Sequence, residues 1–312
     1  MSLPLDAVTD SPSAEPVDVS SVERYVVLVP VGDALHAELV ADRLLSLGAS
    51  AVSEVAGEDG RVALVADLLP RAVAVLEAAG VDVAILTPDA SWADGWRDHA
   101  VAVVAGQRFV VRPEWVPRDD AHAGRIEVVV DAAHAFGSGS HATTRLCLEA
   151  LEGHVDQLPA DCRVLDVGCG TGVLGAAALL SGAGSLVAVD VDPAAVESTR
   201  RTLFLNGVGE RAVEVSQRTV AEVADDHGPF DLVLANLLIP IVEDLGPAMS
   251  AALAPSGSLI VSGLLAEGDP RVGSNRASGH VARAGASLGD EVDVVEVLES
   301  EGWAALVCRS SP

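Results

Sequence analysis

Residues 164–175 read VLDVGCGTGVLG: an apolar run with a carboxylate at Asp166, then glycines at 168, 170 and 172 ahead of a second apolar run. Glycines at that spacing let a backbone turn sharply after a strand and lie close to a ligand, and the helix that follows presents N–H groups lacking intrahelical partners. This is chemistry for holding a nucleotide-like molecule, and two kinds fit. Gly170, Gly172 and Gly175 spell GxGxxG, and Asp190 follows Gly170 by 20 residues, as in a dinucleotide fingerprint. Against that, Asp166 stands at the strand's carboxyl end, where a carboxylate repels a pyrophosphate but favours a cationic sulfonium and amino group. Asp166 with Gly168 and Gly170 therefore suits S-adenosylmethionine better than NAD. Asp190, closing the next strand, is placed to accept hydrogen bonds from ribose hydroxyls in either case.

Two further blocks carry suitable side chains. In AFGSGSHATTRLCLEAL, residues 135–151, Phe136 can pack on an adenine face, while Thr143 or Thr144 can cap the next helix and turn a hydroxyl inward. His141 lies in the same block without a Cys, His or carboxylate at ligand spacing, so it reads as structural rather than catalytic, and no metal site is expected. In FDLVLANLL, residues 230–238, Asn236 ends a strand beside the crevice where open α/β sheets bind ligands, and its amide can orient an attacking amine. No GxSxG elbow, HExxH or P-loop occurs, so triad hydrolysis, zinc proteolysis and NTP hydrolysis have no local support.

The elements that would position these blocks alternate from residue 126 onward. Runs at 126–130, 163–168, 185–190, 212–216, 230–236 and 257–263 read as strands, several of them continuously apolar as in a sheet covered on both faces. Helical stretches fall at 172–181, 193–205 and 241–253, the second opened by Asp192 and Pro193. Two more runs, 291–297 and 303–309, joined through Ser300, Glu301 and Gly302, predict an antiparallel hairpin at the sheet edge. The expected fold is α/β: these eight runs give one more strand than the doubly wound, mostly parallel sheet of seven strands expected over residues 126–312. Upstream, strands at 24–31, 50–55, 61–66 and 81–87 with helices at 34–47 and 69–79 give β-α-β-β-α-β, a smaller ferredoxin-like α+β domain over 22–87. Residues 1–21 read as a disordered tail. Residues 88–125 read as an irregular linker whose Trp92, Trp96 and Trp115 cement it onto its neighbours.

Composition bounds what such a chain can meet. The 312 residues suffice for two domains, and 50% hydrophobic residues suffice for packed cores. With 46 acidic residues against 19 basic ones, all of them Arg, the net charge is −27, which repels nucleic-acid backbones and anionic lipid and suits a basic partner. No apolar run approaches the roughly 18 residues of a spanning helix, and the acidic first 21 residues resemble neither a secretory signal nor a transit peptide. A cytoplasmic protein with its four cysteines reduced is the expectation.

Taken together, AFGSGSHATT, VLDVGCGTG with AVDVDP, and DLVLANLL resemble the matching blocks of the PrmA family, S-adenosylmethionine-dependent methyltransferases of ribosomal protein L-eleven; SGLLAE and EGWAALVCR resemble its closing segments. The resemblance covers about residues 126–312. It implies S-adenosylmethionine as cofactor, with contacts at Thr144, Gly168, Asp190 and Asn236, joined by Asp166 and Gly170 of the same loop. It also implies transfer to a lysine or N-terminal amine of a basic ribosomal protein, with Asn236 orienting the amine. A methyltransferase for another protein or a small molecule is the alternative, and an NAD(P)-binding oxidoreductase a remoter one.

Overall fold

A computed structural model describes residues 25–31, 52–56, 62–86 except 79, 101–131, 141–155, 161–266 and 279–311, with 40, 44, 47, 139 and 159 as single positions. In the N-terminal part, β1 (Tyr25–Val31), β2 (Val52–Ala56), β3 (Val62–Leu68) and β4 (Ala84–Leu86) form an antiparallel sheet in the order β2-β3-β1-β4. Alternation in β1 puts Val27, Val29 and Val31 in a core, where they meet Ala72, Val73 and Leu76 of α1 (Pro70–Ala78). The helix expected over 34–47 lies outside the described residues but for Val40, Leu44 and Leu47, as do residues 1–21.

The stretch expected to be irregular contains structure. β5 (Val103–Ala105) and β6 (Phe109–Pro113) pair antiparallel, and β6 pairs parallel with β7 (Ile126–Val130), making a separate three-stranded sheet. The signal was present in VAVVAGQRFVV, two apolar runs broken at Gly106, whose φ of 54° suits a tight turn. Strand β7 therefore does not open the parallel sheet as its alternating position suggests. Trp115 is partly buried against the adjoining core, while Trp92 and Trp96 lie outside the described residues.

After α2 (Ala142–Val155) the alternation runs β8 (Arg163–Val167), α3 (Val173–Leu180), β9 (Ser185–Val189), α4 (Pro193–Leu205), β10 (Ala212–Ser216), α5 (Val220–His227), β11 (Phe230–Asn236), α6 (Ile239–Ala251), β12 (Leu253–Leu265), α7 (His280–Ser287), β13 (Val292–Ser300) and β14 (Trp303–Ser310). The seven strands lie in the order β10-β9-β8-β11-β12-β14-β13, with β14 alone antiparallel to its neighbours. The continuous apolar runs are explained by two cores. Val164, Leu186, Leu232 and Leu234 face α2, α3 and α4 on one side, and Leu165, Val167, Val187, Val233 and Ala235 face α5 and α6 on the other. Asp192 caps α4 by accepting from Ala194 N at 2.8 Å, with Pro193 in the first turn. The β13–β14 turn places Glu301 (φ 55°) and Gly302 (φ 84°) between the paired Ser300 and Trp303. β8 and β11 run parallel, but the order in which strands are added reverses between them, so the crevice for a ligand opens at the carboxyl ends of β8, β9 and β11.

Candidate functional site

The glycine loop leaves β8 in that crevice. Gly168, Gly170 and Gly172 have φ of 67°, 54° and 76°, the left-handed region that glycine adopts without strain. A Cβ at Gly168 would strike the Leu237 side chain, and one at Gly172 would come within 2.8 Å of Thr199. The loop is thus bare backbone pressed between β11 and α4.

Several of its N–H groups are paired within the protein. Gly168 N and Cys169 N donate to Val189 O at 2.8 and 3.1 Å, Gly172 N to Cys169 O at 2.7 Å, and Gly170 N to Asp190 Oδ2 at 3.0 Å. Gly175 N, in the first turn of α3 where a pyrophosphate would rest, donates to Asp166 Oδ2 at 2.9 Å. With these amides paired internally and the Asp166 carboxylate set against the helix start, the loop disfavours an anion. It suits a ligand recognised through hydroxyls and positive charge.

Both carboxylates are held by the loop they hold. Asp166 is 1% exposed, and burial raises its carboxyl to about 7 against the opposing pull of the Gly175 N–H; the charge of Asp190 adds to the rise. Asp190 is half-buried at the end of β9, Oδ1 accepting from Asp192 N at 3.0 Å; burial raises its pKa while the Asp192 and Gly170 amides lower it. Thr199 of α4 ties the far side of the loop, its hydroxyl 3.0 Å from Gly170 O and 3.2 Å from Cys169 Sγ. Sequence reading missed Thr199; the available signal was Ser198, Thr199 and Thr202, three hydroxyls on a helix whose neighbours are apolar, all buried here.

Across the switch point, Asn236 is half-buried at the end of β11, and its Nδ2 donates to Thr144 Oγ1 at 3.3 Å. Thr143 and Thr144 lie inside the first turn of α2, both 1% exposed, rather than capping it. The Thr143 hydroxyl is 2.8 Å from His141 Nδ1, and the His141 ring meets Trp303 edge to face at 4.8 Å. Burial first, then the Arg145 charge, lower the His141 pKa to about 4, so the ring is neutral at physiological pH. The fold thus brings Asp166, Gly168, Gly170, Asp190, Asn236 and Thr144 to one edge of the sheet. Phe136 lies outside the described residues. Among the described residues no cluster of His, Cys, Asp and Glu could hold a metal ion, and no helix is long and apolar enough to cross a membrane.

A family model described as ribosomal protein L11 methyltransferase (PrmA) matches residues 35–310. Among curated relatives, the ribosomal protein L11 methyltransferase of Synechococcus sp. (strain RCC307) is 39% identical over 186 residues, covering 59% of this chain and 61% of that protein. That of Gloeobacter violaceus is 39% identical over 220 residues, covering 70% and 63%. The matched part of the chain spans roughly three fifths of the length of these relatives. A solved structure of a ribosomal protein L11 methylase from Lactobacillus delbrueckii subsp. bulgaricus superposes with a TM-score of 0.55 at 26% identity, covering 68% of this chain and 99% of that one.

Proposed function

Because the chain belongs to the PrmA family, we propose that it is an S-adenosylmethionine-dependent methyltransferase acting on lysine or N-terminal amines of a large-subunit ribosomal protein in the cytoplasm. The observation that carries this reading is the internally paired glycine loop, flanked by the buried Asp166 and by Asp190, with the Asn236–Thr144 pair across the switch point. S-adenosylmethionine supplies a methyl group already activated on a sulfonium. Asp190 accepts from the ribose hydroxyls on the lone pairs its two amide bonds leave open, and Asp166 places negative charge beneath the cationic end. Gly168 and Gly170 allow close approach.

The substrate amine does the attacking. One N–H of Asn236 Nδ2 goes to Thr144, and the amide offers Oδ1 to an amine N–H and aims the nitrogen lone pair at the methyl. The new N–C bond forms as the C–S bond breaks, the sulfur keeps that electron pair, and the amine proton passes to water. His141 takes no part as a base: Thr143 N and Oγ1 converge on its Nδ1, and its low pKa makes it a poor proton acceptor. In this reading residues 22–87 recognise the substrate and 126–312 carry the transfer, while β5 and β6, within the connecting stretch 88–125, form a floor beneath the α2 block. The net charge of −27 favours encounter with a basic ribosomal protein.

Purified protein incubated with methyl-labelled S-adenosylmethionine and a lysate from cells lacking it should label one ribosomal band. A different protein band or a labelled small molecule overturns the substrate, and NADH binding without label overturns the reaction.

The raised pKa of Asp166 gives a second expectation. Below about 7 the carboxyl is protonated and its attraction for the cationic cofactor is lost; above 7 it is present. Calorimetric affinity for S-adenosylmethionine should therefore fall several-fold from pH 7.5 to about 6, bounded by a tenfold change per unit. Asp166→Asn should bind weakly with a flat profile, and an unchanged wild-type affinity across that range rules the role out.

A further inference from the structure

Helix α4 holds a second polar ridge beside the one that touches the glycine loop. Ser198, Thr202 and Asn206 recur every four residues and form one stripe, Asn206 being the helix's last cap. The stripe meets β7, the edge strand of the three-stranded sheet. Asn206 Nδ2 donates to Val129 O at 2.6 Å and its Oδ1 accepts from Val129 N at 2.9 Å, so one amide pairs with the strand as a neighbouring strand would. Thr202 Oγ1 accepts from Asp131 N at 3.1 Å, and Ser198 Oγ donates to Asp131 O at 2.9 Å.

What β7 carries gives the ridge its significance. It pairs in register with β6, Val128 opposite Val111. The Val111 side chain in turn seats Gly139, where a Cβ would come within 2.6 Å and φ is 85°. Gly139 lies two residues before His141 and five before Thr144, the partner of Asn236. On its other side α4 holds Gly170 through Thr199, and its cap Asp192 gives its amide to Asp190.

We propose that Ser198, Thr202 and Asn206 are positioning residues: they lock the β7–β6 floor beneath the Thr144 half of the cofactor site to the helix that holds the Asp190 half. This rests on the methyl-transfer reading only for what the two halves bind. The mechanism predicts that loosening the ridge widens the site, weakening cofactor affinity with little change in turnover once the site is filled.

The test uses Asn206→Ala and Thr202→Val, with Thr202→Ser as the conservative rescue and Ser198→Ala as a milder variant should the first two fold poorly. Hydrogen exchange without added ligand should quicken at residues 129–131 and also at the Arg145 amide, which bonds His141 O at 3.2 Å, while the central strand 164–167 keeps its protection. The Kd for S-adenosylmethionine should rise roughly tenfold in Asn206→Ala and Thr202→Val, as for loss of a buried hydrogen-bonded support, with kcat at saturation within about twofold and Thr202→Ser near wild type. Faster exchange confined to 129–131 overturns the proposal, as does an unchanged Kd in a wild type that binds. A wild-type protein that binds no S-adenosylmethionine removes the methyl-transfer reading instead, and exchange at Arg145 still decides the ridge.

Discussion

Asn236→Ala should keep measurable S-adenosylmethionine binding but transfer methyl about 10²- to 10³-fold more slowly at saturation, the scale on which a positioned polar group acts on a transition state. Two features of the site set this expectation. Asn236 stands across the switch point from the glycine loop, so the loop's bonds to Asp166, Asp190 and Val189 survive its truncation. One N–H of its Nδ2 goes to Thr144 Oγ1 at 3.3 Å, and the carbonyl Oδ1 is the acceptor the amide holds for a substrate N–H. Asn236→Asp separates orientation from charge. It keeps an acceptor, but a carboxylate beside the substrate lysine holds it as the ammonium, which has no lone pair to attack with. Its rate should recover as pH rises toward the lysine pKa, whereas that of Asn236→Ala should stay low throughout. Single-turnover rates and calorimetry on both variants are the measurements, and full turnover in Asn236→Ala eliminates the role.

Much of this site is readable in the one-dimensional pattern because each part sits at a strand end that the pattern marks. The apolar runs ending at Val167, Val189 and Asn236 are bounded by glycine or polar residues, and parallel strands buried on both faces read as such runs. The helix start at Asp192 and Pro193 is legible because capping is local chemistry. What could not be read depends on partners distant in sequence. The pairing of Gly175 N with Asp166 and of Gly170 N with Asp190 makes the loop disfavour an anion, and both bonds cross from one element to another. The separation of β7 from the main sheet is likewise invisible in IEVVV, since its fate is fixed by β6 on one side and by Asn206 on the other. The hairpin of β5 and β6 was within reach of the pattern. Its first strand is only three residues long, too short to show a period of its own.

Asp190→Ala should weaken S-adenosylmethionine binding roughly 30- to 100-fold, corresponding to about 2–3 kcal/mol for a lost charged acceptor. The carboxylate has two duties in the structure. One oxygen accepts from Gly170 N at 3.0 Å and the other from Asp192 N at 3.0 Å, so it pins the middle of the glycine loop to the start of α4. Its remaining lone pairs are the acceptors available to a ribose diol. Alanine removes both functions at once. Asp190→Asn divides them: an amide has a single acceptor oxygen, so its NH2 group faces either Gly170 N–H or Asp192 N–H, and one backbone bond is replaced by two opposed donors. Asparagine should therefore come closer to alanine than to wild type despite its matching shape, and Asp190→Glu should fail for a different reason, because a longer side chain cannot reach both amides from the same backbone position. Burial has already raised the pKa of Asp190, so the amides that hold it charged are part of its binding capacity. Calorimetry with S-adenosylmethionine across the three variants gives the ranking, with thermal melts to confirm folding. An asparagine variant with wild-type affinity contradicts the dual role, since it is the substitution that keeps the volume and changes only which atoms accept.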